Sequence, residues 1–313
     1  MIIVRYRGGL GNQMFQYAFQ TALKKRYPEE VIKADISHYR LLEEHNGFEL
    51  DKVFGLSMEF ASKEELKEIT NLYIPSEWVL KLPKKIKNRV AKKYQYIISD
   101  FYKKMHKEKE KNYYKCKYHN SFEEVVLHLN IEHDWYLDGL WQNLHYFSEC
   151  MPEIRNAFCF PEPDMLSAED RALLDEINSK QSVSVHVRRG DFINSKFDIC
   201  KKEYYERAME EVEKREADVD YFFFTDDIDF VRKEFEHVKK KRIINHGIEN
   251  SIVDMQLMSA CRNHIISNST FSYWGVLLDA KKEGHVIAPC YSIINTIGAY
   301  ELSAPEAWLL IEV

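Results

Sequence analysis

Residues 182–191 read Ser182-Val183-Ser184-Val185-His186-Val187-Arg188-Arg189-Gly190-Asp191. Valine alternates with a polar residue, the period of a strand with one buried face. The run then ends in a histidine, two adjacent arginines, a glycine and an aspartate. A strand that delivers two guanidinium groups to its carboxyl end, beside a glycine that lets backbone approach a ligand, suits the grip of a diphosphate. The competing reading is a pair of surface arginines after an edge strand, and the rest of the chain has to separate the two.

Around this run the spacing predicts helices over 166–177 and 203–216. Val219-Asp220-Tyr221-Phe222-Phe223-Phe224-Thr225 is the near-continuous apolar run of a buried parallel strand, and it ends in Asp226-Asp227. Arg242-Ile243-Ile244, His264-Ile265-Ile266-Ser267 and Val286-Ile287-Ala288-Pro289 read as further strands, with a helix over 252–261. Strands alternating with helices predict a doubly wound parallel sheet, whose ligands gather at the carboxyl ends of the strands. The polar clusters lie at those ends: His186 to Asp191, Asp226-Asp227, and Ser267-Asn268-Ser269-Thr270, which opens a helix through Phe271. Hydroxyls and free amides there meet a positive dipole end. Any one cluster would pass as a helix cap or a surface pair. Their convergence favours a diphosphate clamp built from Arg188 and Arg189 with Asn268, Ser269, Thr270 and Phe271. Asp226 or Asp227 is placed to accept from the N–H groups of a guanine or from ribose hydroxyls. Asp227-Ile228-Asp229 has the spacing of a metal-holding Asp-x-Asp, but Asp229 falls past the turn into a helix, and paired arginines neutralise phosphate without a cation.

The first half opens as strand, glycine-rich turn and helix. Ile2 to Tyr6 is β-prone, Arg7-Gly8-Gly9-Leu10-Gly11-Asn12-Gln13 follows, and from Met14 the apolar residues Phe15, Ala18, Phe19 and Ala22 take helical steps. Main-chain amides of such a turn face a ligand, and Gly9, Gly11, Asn12 and Gln13 are the candidate acceptor or cleft residues. The spacing is not the dinucleotide fingerprint. A second strand is expected over 31–35 and a compact apolar segment over 48–54. Trp135-Tyr136-Leu137-Asp138-Gly139-Leu140-Trp141-Gln142 is an aromatic strand running into a turn, read mostly as core rather than as a sugar platform. Phe158-Cys159-Phe160-Pro161-Glu162-Pro163 reads as a linker, so the expected domains are 1–160 and 161–313.

Between Lys81 and Lys117 stand 14 Lys and Arg against Asp100, Glu108 and Glu110, a balance of +11 that leaves the remainder at −17. Val90, Tyr94, Ile97, Phe101 and Met105 recur through it at helical steps. It reads as an amphipathic helix, either simply solvated or docked peripherally on anionic lipid. The 313 residues, 45% hydrophobic and 30% charged, with 18 Phe and 19 Tyr, suit one large or two ordinary globular domains. A net charge of −6 gives no ground for nucleic acid, and 12 His without a His/Cys cluster give no metal signal. Six scattered cysteines, with no signal peptide and no apolar run of membrane-spanning length, read as reduced thiols of a cytoplasmic chain, peripheral at most to the inner membrane.

Taken together, Gly8 to Gln16, His186 to Asp191, Phe224 to Asp227 and Ser267 to Gly275 resemble, in order, the motifs of glycosyltransferase family 11, the α-1,2-fucosyltransferases. Phe48-Glu49-Leu50 and Pro305-Glu306-Ala307-Trp308 also sit where that family has similar residues. Tyr273 departs from its usual Trp, an expected aromatic swap. The resemblance implies a GT-B fold, two Rossmann-like domains facing across a cleft. It further implies GDP-fucose as donor, a galactose 2-hydroxyl as acceptor and no metal or other cofactor. The acceptor would be a galactose-terminated oligosaccharide or lipid-linked glycan.

On that footing the second domain holds the donor. Arg188, assisted by Arg189, is expected to hold the phosphate oxygens and stabilise charge as the bond to GDP breaks. Inversion needs a base for the acceptor hydroxyl, and Asp191 is the candidate, with an ion pair to an arginine as its alternative fate. His186 is expected either to transfer a proton or to orient the site. The other classes weighed are a phosphatase or kinase, for which no P-loop or adjacent nucleophile is found, and a non-catalytic glycan-binding module, which needs no diphosphate clamp. Within transferases the runner-up is another sugar or linkage.

Overall fold

The computed structural model describes residues 1–41, 45–70, 83, 86, 89, 113–116, 122–281, 284–295 and 298–313. The chain divides into two compact units, Met1–Ala157 and Phe158–Val313, with the break just before the proline-containing linker. Most of the basic segment expected over 81–117 lies outside the described residues.

In the first unit β1 (Ile2–Arg5), β2 (Ile32–Asp35), β3 (Tyr113–Lys115) and β4 (Trp135–Asp138) form a parallel sheet in the order β2-β1-β4-β3. β3 was not expected from the sequence, where charge around it masks its three residues. The helix Leu10–Arg26 starts four residues earlier than its apolar pattern, because Gly9 in extended backbone accepts from the amides of Asn12 and Gln13. Its buried face carries Met14, Phe15, Ala18, Phe19 and Leu23. Trp141 stacks on Phe19 at 4.1 Å and is fully buried, so this part of the aromatic run is core.

In the second unit β5 (Ser182–Val187), β6 (Asp220–Thr225), β7 (Lys241–Ile244), β8 (Asn263–Ile265), β9 (Val286–Pro289) and β12 (Leu309–Ile311) form a six-stranded sheet. Its order is β12-β9-β8-β5-β6-β7 and every pairing is parallel. β10 (Tyr291–Asn295) and β11 (Gly298–Glu301) make a separate antiparallel hairpin. The chain runs outward from β5 through β6 to β7, returns to β8 on the other side of β5, and continues outward. That is the doubly wound order, and its switch point lies between β5 and β8.

The alternation in β5 does not mark one exposed face, as the sequence suggested: all six of its residues are buried. Val183, Val185 and Val187 pack against Tyr204, Tyr205, Ala208 and Val212 of the helix Lys202–Glu213. On the opposite face the polar residues are buried because neighbours satisfy them. Ser182 Oγ accepts the Arg262 amide at 3.0 Å, Ser184 Oγ bonds His264 Nδ1 at 2.8 Å, and His186 Nδ1 bonds Ser267 Oγ at 3.0 Å. A buried hydroxyl or imidazole is tolerated only when so paired. β6 alternates in step with β5, with Tyr221 and Phe223 on the valine side and Phe222 and Phe224 against Ile177, Leu257 and Met258. Helices thus cover both faces.

All six cysteines are free thiols. Among the described residues no helix is long and apolar enough to cross a membrane.

Candidate active site

The carboxyl end of β5 and the chain after β8 build the site from both sides of the switch point. Arg188, the first residue past β5, places Nη1 2.7 Å from Asp226 Oδ2 and Nη2 2.6 Å from Asp191 Oδ1. Its side chain retains 30% exposure. Asp226 stands at the end of β6, next to β5 in the sheet, and its other oxygen accepts the Arg189 amide at 2.8 Å. A methyl group on Gly190 would lie 2.7 Å from Asp226 Oδ2, so any side chain there would make that carboxylate shift.

Arg189 turns to different partners. Its Nε bonds Asp227 Oδ2 at 2.9 Å, and its guanidinium carbon sits 3.8 Å from the centre of the Phe230 ring. Such a stacked and paired guanidinium is held by geometry that lysine lacks. Asp227 Oδ1 also caps the helix Ile228–Glu234 by accepting the Phe230 amide at 3.0 Å. Burial would raise the Asp227 carboxyl, but the bonds from Phe230 and Arg189 outweigh it and hold the group below its ordinary range. Both aspartates expected to read guanine are therefore committed to the arginines. Asp229 is 95% exposed, its carboxylate 3.6 Å from Arg232 Nη1.

His186 is buried beneath the arginines, with its ring 5.7 Å from that of Phe271. Burial first, and then the charge of Arg188, push its pKa down to about 3, so at neutral pH it is an uncharged, weakly basic ring. Its bond to Ser267 ties β5 to the segment after β8. Ser269 caps the helix Thr270–Leu277, its Oγ accepting the Phe271 amide at 3.3 Å. Thr270 and Phe271 are partly exposed at the helix start. Asn268 faces elsewhere: its Nδ2 donates to the carbonyls of Phe197 at 3.0 Å and Ser292 at 2.9 Å, clasping the loop after Asp191 to β10. Tyr273 donates its hydroxyl to the Ser303 carbonyl at 2.5 Å and packs on Trp308.

In the first unit the switch point lies between β1 and β4, and the glycine turn sits there. Gly8 has φ +83°, and a methyl group on it would meet Asn12 Nδ2 at 2.5 Å. Gly9 is partly exposed beside the His45 ring, while Gly11 is buried in the first helical turn. Asn12 Oδ1 accepts from Gln142 Nε2 at 2.7 Å, which links the turn to the residues after β4. Gln13 is buried with its amide spent inside the unit, donating to Gly8 and Gly47 carbonyls and accepting the Glu49 amide at 2.8 Å. Sequence reasoning missed Gln142, His45 and Phe230. Gln142 was within a quoted motif, and only the adjacency of β4 to β1 brings it to Asn12.

The model of glycosyl transferase family 11 matches residues 1–296. An Escherichia coli alpha-1,2-colitosyltransferase is 30% identical over 325 aligned residues, covering 100% of this chain and 99% of that protein. An O-antigen biosynthesis glycosyltransferase of Escherichia coli, WbnK, is 28% identical over 297 residues, covering 90% of this chain and 91% of that one. Among solved structures, the fucosyltransferase NodZ from Bradyrhizobium is similar with a TM-score of 0.43 and 14% identity, over 88% of this chain and 93% of that chain. The family match spans the glycine turn, the arginine pair and the capped helix alike, and on that extent the chain belongs to glycosyl transferase family 11.

Proposed function

We propose that the protein transfers L-fucose from GDP-β-L-fucose to the 2-hydroxyl of a terminal galactose, inverting the anomeric centre to give an α-1,2 linkage. The observation that carries this reading is a partly exposed Arg188 at the switch point, across from the open start of the helix Thr270–Leu277. Guanidinium and helix amides are both made for phosphate oxygens. The unit Phe158–Val313 would hold the donor, with Arg188, Ser269 and Thr270 on the diphosphate, Asp226 fixing Arg188 in place and Asp227 fixing Arg189. The unit Met1–Ala157 would bind the acceptor along Gly9 and Asn12.

In the transfer the acceptor oxygen forms its bond to C1 as the bond from C1 to the β-phosphate oxygen breaks. The electron pair leaves with GDP, where Arg188 stabilises it, and the acceptor proton passes to a carboxylate, for which Asp191 is the candidate. No metal takes part in this scheme. Docking of the basic segment 81–117 on anionic lipid would bring a lipid-linked glycan to the site.

A second reading is favoured by the colitosyltransferase relative: the sugar moved is colitose, which is fucose without its 3-hydroxyl. Incubation with GDP-fucose or GDP-colitose and a panel of β-galactosides, followed by linkage analysis, tests both. Fucosyl transfer to the 2-position is expected. No transfer from either donor, with no GDP binding by calorimetry, would sink the reading. Arg188→Lys should lower turnover at least about 100-fold although charge is kept, because the two-pronged geometry is lost.

A further inference from the structure

The five charged side chains at the end of β5 and β6 carry two positive and three negative charges: Arg188 and Arg189 against Asp191, Asp226 and Asp227. A site so neutralised does not draw a diphosphate by charge alone. One carboxylate has to give way, and the three aspartates are held very unequally. Asp227 is both helix cap and partner of Arg189. Asp226 engages both oxygens, one in an ion pair with the Arg188 guanidinium and one accepting the Arg189 amide, and it is 27% exposed against the tight approach of Gly190. Asp191 makes one bond, to Arg188 three residues away, and its side chain is 55% exposed. An exposed pair of this kind contributes little, so an incoming dianion can replace it.

We propose that Asp191 is a placeholder for donor phosphate: it occupies Arg188 Nη2 in the empty enzyme, and a phosphate oxygen takes that position when the nucleoside diphosphate binds, while Asp226 remains as the fixed anchor of the same guanidinium. This rests on the donor reading above. The exchange makes two uses of one carboxylate. Before binding it keeps Arg188 extended and oriented. After binding it is released from its ion pair and stands next to the phosphate grip. Asp226 is a positioning residue that sets where the guanidinium points.

Calorimetric titration of the full chain with GDP tests the exchange. Asp191→Asn removes the competing charge and is expected to bind GDP three- to fivefold more tightly than wild type, a gain that damage to the fold does not produce. Asp191→Glu keeps a competing carboxylate and should bind as wild type does. Asp226→Asn frees the guanidinium from its anchor and should weaken GDP binding at least tenfold, with circular dichroism and melting temperature checking its fold. Equal or weaker binding by Asp191→Asn overturns the placeholder, and undiminished binding by a folded Asp226→Asn overturns the anchor. Absence of GDP binding by wild type instead removes the donor reading, and the exchange with it.

Discussion

His186 on β5 and Ser267 after β8 are joined by a hydrogen bond of 3.0 Å between Nδ1 and Oγ, directly across the switch point of the second sheet. The ring is neutral and buried, so its position is that of a strut under Arg188. His186→Asn offers an amide to the same serine. Its turnover should stay within about tenfold of wild type, whereas loss of a residue that moves a proton costs about 10²–10⁴. A thousandfold drop with GDP binding intact would make His186 the proton carrier.

Gly190 is required for contact and not for backbone freedom, since alanine at its φ is unstrained and only the methyl group clashes with Asp226. Gly190→Ala should displace that carboxylate and with it Arg188. Turnover is expected to fall about tenfold or more. The melting temperature should move by only a few degrees, as the site is at the surface. Kinetics and a thermal melt on one preparation check both halves.

His246 lies between Asp254, whose Oδ1 is 2.5 Å from Nδ1, and Asp170, whose Oδ1 is 2.8 Å from Nε2. The bond to Asp254 raises its pKa to about 9 against burial, with both negative charges adding to the rise. A pKa higher in the folded than in the unfolded chain stabilises fully below pH 6.5, and that contribution disappears as pH rises through 9. With solvent screening the amount is about 1–2 kcal/mol. Wild type should therefore melt above His246→Gln at pH 6, and the two curves should converge by pH 10. A constant gap across that range would rule out a charged His246.

The hydroxyl of Tyr273, which a Trp at this position would lack, donates to the Ser303 carbonyl. Tyr273→Phe leaves that partner unpaired and should cost about 1 kcal/mol. In a unit of this size the melting temperature then falls by ~2–4 °C. Tyr273→Trp should be milder if Trp308 shifts to accommodate the larger ring. Differential scanning calorimetry separates the two.

Much of the second unit was legible because burial writes its period into sequence. The run from Tyr221 to Phe224 is apolar on both faces, and β6 is covered on both. The same rule misread β5, whose serines and histidine looked solvent-facing. They are buried because Arg262, His264 and Ser267 bond them, and no local window contains those partners. The clusters at strand ends were likewise visible, but the division of labour within them was not. Arg188 and Arg189 are adjacent in sequence yet leave β5 in different directions, one caged by carboxylates and one stacked on Phe230.

What the sequence determined by itself is the parallel strands other than the short edge strands β3 and β12, the residues that end them and the glycines those ends require, since each follows from periodicity and steric need within a few residues. Only the tertiary structure decided that β8 lies beside β5, that Asp226 and Asp191 both pair with Arg188, and that Gln13 and Asn268 spend their amides on the backbone. Strand order is fixed by how whole helices and sheet faces pack, and a hydrogen bond between residues 38 or 81 positions apart exists only once that order is set.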